Sequence, residues 1–357
     1  MRTACVGSVG VGALGQPLRL LTASPTRPRF TDAGILPAVG ETAAPAWRRD
    51  IDDAYKLFAT KHVDSLTSRQ IIEAAFGAVR SRAGSTVAMP VLSDIADVVA
   101  EDLARFRAAT DELLAERPDP STNELRNAAI EAMVQIRPDG HTRFWPVWAD
   151  SPIRDIAEGR CEVRSEILPG GIGYVRWSGW VKTDKFDIVA ELRTRVDALL
   201  RDGAKAWLFD VRGNHGGGGG AQAAAMFLDG DPVFRATFRD GRTEVTQPDR
   251  SLRLPAEYQL PIAIVVDSGT WSASEIFVFG LRQHGRATVI GERTAGFVGR
   301  IDAIELSDEA RVGVNVALIT GPNGEIYNGI GVKPDMEARS ADAVDGASRY
   351  LREVVSV

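Results

Sequence analysis

From Cys161 to the C-terminus, apolar runs of strand length alternate with helical stripes, an order that few architectures accept. Val163–Leu168 and Ile172–Trp177 are strand-like and separated by the turn Pro169-Gly170-Gly171. Val189, Leu192, Val196 and Leu199 give residues 184–201 one apolar helical face. Residues 206–211 form a buried-type strand. A glycine-rich loop and a helix over 221–228 follow. Further strands are expected at 233–238, 262–266, 287–290, 301–306 and 312–320, with a polar excursion between 238 and 253 and a closing helix over 345–354. Strands interleaved with helices define an α/β domain.

Residues 47–137 read differently, as helix throughout. Ile51, Ala54, Tyr55 and Phe58 make one stripe. Ile72, Ala75, Phe76 and Val79 make a second behind Thr67 as cap. Ile95, Val99, Leu103 and Phe106 make a third opened by Ser93. The fourth, Leu125, Ala128, Ala129, Ala132, Met133 and Ile136, follows a capping box of Ser121 and Glu124. A small helical bundle over 46–138 is therefore expected, ending at the turn Arg137-Pro138-Asp139-Gly140 and followed by the α/β domain over 139–357. Residues 1–45, with prolines at 25, 28, 37 and 45, read as a disordered leader. Residues 3–15 are a poor signal-peptide core, so the compartment stays open between cytoplasm and export, with the cytoplasm favoured.

Composition excludes several classes. The 357 residues suffice for a sizeable core, and 44% apolar with 25% charged content is that of an ordinary globular protein. A formal charge of -6 without basic runs argues against nucleic acid as partner. The two cysteines, Cys5 and Cys161, suggest neither a disulfide framework nor a metal site. No apolar stretch reaches the ~18 residues of a membrane span. Oligomeric state is not readable.

Chemistry concentrates in residues 261–300. Ser272 stands where a helix with the apolar face Ile276, Phe277, Gly280 and Leu281 begins. Ser272 and Glu275 have the spacing of a capping box, a purely structural use. A serine there also lies at the positive end of a helix, where a developing oxyanion meets free backbone amides. Local sequence leaves both uses open. Of the four histidines, His62 lies in the helical region, His141 follows the turn at 137–140, His215 sits in the glycine loop and His284 ends the helix begun at Ser272. The loop Asp210-Val211-Arg212-Gly213-Asn214-His215 runs into five consecutive glycines, Gly216 to Gly220. It suits a phosphate cradle, an oxyanion hole or a flexible connection equally. Without a following Lys-Ser/Thr it is no P-loop, and Gly216, Gly218 and Ala221 match a dinucleotide fingerprint only weakly.

Taken together, five segments resemble the S41 serine peptidases, the family of C-terminal processing (tail-specific) proteases, tricorn core proteases and retinoid-binding modules. They are Leu125 to Met133 with Asp139-Gly140-His141-Thr142; Gly171 to Arg176; Asp210 to Gly217; Ser272-Ala273-Ser274-Glu275 with Gly285-Arg286-Ala287 and Gly291 to Thr294; and Gly331-Val332-Lys333-Pro334-Asp335. The resemblance implies a crotonase-like ββα-spiral. It assigns the nucleophile to Ser272 and the oxyanion hole to the amides of Ala273 and of Gly216 or Gly217, with no cofactor. Processing proteases carry a lysine base in T-F-G-K-G, where this chain has Phe297. The interval between His141 and Ile172 is too short for a PDZ domain. Both departures point to the tricorn-like branch and to His141 as base. Asn328 stands where that branch has the glutamate that completes its site, and Glu325 lies three residues away as a substitute. The implied activity is cleavage of unfolded or short peptides through an acyl-enzyme. The alternative is an inactive module that binds an apolar ligand or peptide.

Overall fold

The computed structural model describes residues 44–84, 95–115, 121–147, 151 and 154–356. The expected leader lies outside them except for Ala44 and Pro45, as does the expected cap Ser93. Four helices come first: α1 (Ala46–Lys61), α2 (Ser68–Ala83), α3 (Val99–Ala115) and α4 (Thr122–Val134). Next are β1 (Arg143–Trp145), a single turn α5 (Arg154–Ala157), β2 (Val163–Leu168), β3 (Ile172–Trp177), α6 (Ile188–Arg201), β4 (Ala206–Asp210) and α7 (Gly220–Ala225). The remainder is β5 (Phe234–Phe238), β6 (Thr243–Thr246), β7 (Ile262–Val266), α8 (Ala273–Gln283), β8 (Thr288–Gly291), β9 (Gly299–Glu305), β10 (Arg311–Thr320), β11 (Met336–Glu337) and α9 (Ala343–Val355).

One sheet has the order β11-β8-β7-β4-β3-β2, parallel except that β2 runs antiparallel to β3. Every residue of β4 and β7 is buried, as interior parallel strands with both faces covered require. Alternation sends Trp207 and Phe209 to one side, with Ile262, Ile264, Phe277 and Leu281. Ala206 and Leu208 go to the other, against Ala343, Ala347 and Leu351 of α9. Trp177, Trp180, Phe209 and Phe277 meet edge-on or tilted, with Trp177 and Trp180 5.1 Å apart. Such pairs add about 1 kcal/mol each beyond their burial.

In the second sheet, β10 pairs antiparallel with β1, β5 and β9, and β6 extends β5. A bulge between Asn315 and Ala317 reverses which side chains of β10 face which way. Before it, Val312 and Val314 enter a core shared with α1–α4. After it, Ala317 and Ile319 join the core of the first sheet.

Local sequence explains most boundaries. Thr67 and Gln70 form a reciprocal capping box on α2, and Gly84 closes that helix at φ 60°. Three expectations are corrected. The helix expected from 184 starts at Ile188, because Asp187 Oδ1 accepts from Val189 N at 2.9 Å and caps it there. Ser121 precedes α4 without a side-chain cap bond, because Glu124 is taken by Arg82 at 2.9 Å and does not reach back. The excursion at 238–253 contains β6, a strand of exposed and half-buried residues without an apolar face to announce it. Among the described residues no helix is long and apolar enough to cross a membrane.

Candidate active site

Because β4 and β7 are parallel neighbours, the loops leaving their C-terminal ends lie side by side. One is the glycine loop and the other leads to Ser272. The two are tied by Asn214, whose carbonyl accepts from Trp271 N at 3.0 Å and from Ser274 Oγ at 3.1 Å. Ser274 is buried and also accepts from Trp180 Nε1 at 2.9 Å, so its hydroxyl is committed to structure.

Ser272 has φ 53° and ψ -114°, a region that side-chain-bearing residues avoid, at the turn into α8. A conformation of this kind costs about 1–3 kcal/mol and persists only when its surroundings over-determine it. Here Glu275 does so. Its carboxylate accepts from Ser272 N (3.0 Å), Thr294 Oγ1 (2.5 Å), Gly296 N (2.8 Å) and Phe297 N (2.9 Å). Burial pushes this carboxyl up to about 7, against the four donors, which favour the charged form.

His141 lies in the link between α4 and β1, and its Nε2 is 3.2 Å from Ser272 Oγ. The residue is 3% exposed, and Nδ1 has no hydrogen-bond partner among the described residues. Burial pushes the imidazole down to about 4. Asp139 opposes that shift and Arg143 adds to it. At neutral pH the ring is therefore an uncharged acceptor for the serine proton.

The glycine loop closes on the serine. At Gly216 (φ 89°) a Cβ would lie 2.7 Å from Ser272 Cβ, so only glycine allows the approach. The Gly216 amide is already donated to Asn214 Oδ1 at 3.1 Å. Gly217 N and Ala273 N donate to nothing among the described residues. Ala273 N belongs to the first helical residue, whose amide has no intrahelical acceptor.

Asn328 and Glu325 are not brought to His141. Asn328 Oδ1 accepts from Val298 N at 3.2 Å, and Glu325 holds Tyr327 Oη and Gln283 Nε2. Phe297 packs directly against Gly140. A Cβ on Gly140 would fall 2.0 Å from the Phe297 ring, so the glycine before His141 makes room for the phenylalanine at the lysine position. The Arg143 guanidinium lies over both Phe297 (4.6 Å) and Trp271 (5.1 Å) and donates to Gly140 O. His215 packs on Trp271, 4.2 Å between ring centres. Trp271 and Arg143 thus wall the site. Sequence gave neither a role, because each matters only through contacts across the fold. No group of His, Cys, Asp and Glu suited to a metal occurs among the described residues.

The family model of peptidase family S41 matches residues 171–338. Curated relatives include the chloroplastic carboxyl-terminal-processing peptidase 3 of Arabidopsis thaliana, 30% identical over 53% of this chain and 38% of that protein. The carboxy-terminal processing protease CtpA of Bacillus subtilis is 28% identical over 50% of this chain and 38% of that protein. The chain thus spans under half the length of these relatives. In fold it is similar to a lipoprotein from Streptococcus agalactiae (TM-score 0.59, 18% identity, 90% of this chain and 99% of the other). It is similar also to the photosystem II D1 C-terminal processing protease (TM-score 0.54, 17% identity, 86% and 98%). Over residues 171–338, a little under half of the chain, the sequence is thus similar to peptidase family S41, and the curated relatives it matches are carboxyl-terminal-processing peptidases.

Proposed function

We propose that the chain is a serine endopeptidase acting on unfolded or short peptides, with Ser272 as nucleophile and His141 as general base. The observation that carries this reading is the 3.2 Å approach of His141 Nε2 to the hydroxyl of a strained serine at a helix start. As Oγ bonds to the scissile carbonyl carbon, Nε2 takes its proton. Charge then develops on the carbonyl oxygen, where the amides of Ala273 and Gly217 are available to stabilise it. Gly216 frames the site while its own amide holds Asn214. The imidazolium returns the proton to the departing amine. Water, deprotonated by the same ring, hydrolyses the acyl-enzyme. No cofactor takes part. The scaffold is read as a crotonase-like ββα-spiral over 139–357, with residues 46–138 as a helical unit against it.

The test is hydrolysis of casein and of short unfolded peptides. Wild type cleaves, and Ser272→Ala loses about 10⁴-fold or more of the rate. The unpartnered Nδ1 favours a second reading, a module that binds an apolar ligand or peptide without cleaving it. An apolar molecule that co-purifies while casein stays intact would establish that reading instead.

A further inference from the structure

A general base needs a fixed ring, and the usual device is a third side chain on Nδ1. Here that atom is buried without a partner among the described residues, and both Asn328 and Glu325 are engaged elsewhere. The segment that carries the ring is held instead. Asp139 Oδ1 accepts from His141 N at 3.0 Å and from Thr142 N at 2.6 Å, and its Oδ2 accepts from Asn315 Nδ2 at 2.8 Å.

Asn315 is 1% exposed and stands at the bulge of β10, where the strand passes from one core to the other. Its Oδ1 accepts from Arg300 N at 3.2 Å and Ala317 N at 3.4 Å. Those bonds fix the amide, since a flip would set NH₂ against two N–H donors and oxygen against the Asp139 carboxylate. Its main chain is used as well: N donates to Thr142 Oγ1 at 3.2 Å, and O accepts from Val63 N at 2.8 Å. Gly299 yields the space, for a Cβ there would lie 2.6 Å from Asn315 Oδ1. The set reaches the helical region through His62, whose Nε2 is 3.2 Å from Thr142 Oγ1. His62 Nδ1 accepts from Asp64 N at 3.2 Å, so the proton of the neutral ring sits on Nε2 and is donated to Thr142.

We propose that Asp139 and Asn315 form a clamp that positions His141 against Ser272 in place of a side chain on Nδ1, with Thr142 and His62 extending it to the residues after α1. The clamp rests on the Ser272–His141 reading above. Asp139 and Asn315 are positioning residues, acting through the backbone at 141–142.

An exchange of the two side chains tests it. Asp139→Asn alone opposes two NH₂ groups, and Asn315→Asp alone opposes two carboxylates. The double variant Asp139→Asn with Asn315→Asp restores a donor facing an acceptor and leaves an oxygen for each backbone N–H. The rate of fluorophosphonate addition to Ser272 is read beside the melting temperature. Each single variant is expected to slow addition by about tenfold to a hundredfold, the loss that misplacing a reacting group brings. The double variant is expected to recover to within a few-fold of wild type. Single variants that react at the wild-type rate overturn the clamp, and so does a folded double variant as slow as the singles. Should either single variant not fold, Thr142→Val and Thr142→Ser take its place. The clamp requires the valine variant to be slow and the serine variant near wild type, and equal rates overturn it. An unreactive wild type overturns the peptidase reading itself, which separates the two failures.

Discussion

At Ser272 the strain and the chemistry are one feature. Positive φ marks the turn at which the hydroxyl lies 3.2 Å from His141 Nε2, and the four bonds on Glu275 hold the backbone of that turn. Ser272→Gly is accordingly expected to raise stability by about 1 kcal/mol in urea unfolding while abolishing activity. Glu275→Gln leaves two of four buried donors facing an amide NH₂ and is expected to lower stability by about 2 kcal/mol or more on the same measurement. The low proton affinity of His141 sets the pH dependence. The ring stays neutral as pH falls, so its own titration should halve serine reactivity near pH 4, where an ordinary histidine would halve it near 6.5, separately from the step near 7 at which Glu275 takes up a proton. Between about 4 and 6.5 the unfolded chain binds a proton on residue 141 that the folded chain does not. This residue therefore contributes stability above pH 6.5 that is lost as pH falls toward 4, and a flatter melting profile for His141→Phe checks the sign.

At the level of elements, Phe297 and Gly140 are two halves of one packing solution. Phe297→Lys is expected to slow serine modification, because it removes the ring that packs against Gly140 beside His141, against Trp271 and under the Arg143 guanidinium. Elements were legible where burial is complete. β4 and β7 are unbroken apolar runs, and their expected ends agree with the fold to within a residue. β1, three half-buried residues, and β6, mostly exposed, carry no comparable pattern. The serine, the histidine and the glycine loop were legible because each sits beside a turn or cap with its own local signature. Asn315 was not. It reads as one polar residue in an apolar strand, and its partners at 63, 139, 142 and 300 are joined only by the fold.

Across the whole molecule, the helical region is bound into the site rather than appended to it. Leu306, Ala310, Val312 and Val314 complete the core of α1–α4. Arg126, 1% exposed, reaches Asp50 at 3.3 Å and Asp308 at 2.7 Å, and Asp50 in turn accepts from Ser307 N at 3.0 Å. Arg126→Met would leave Asp50 buried without its cation and is expected to cost about 3–5 kcal/mol in chemical denaturation. Because β10 carries Asn315 and pairs with β1 beside His141, that loss should reach the site as reduced activity before global unfolding.

The pairing of Ser272 with His141 is tested most directly by fluorophosphonate modification read by intact mass and peptide mapping. A single adduct on Ser272 of the wild type is expected, absent in Ser272→Ala and slowed by about 10⁴-fold in His141→Ala. A wild type that stays unmodified, or a His141→Ala variant modified at the wild-type rate, would contradict the assignment.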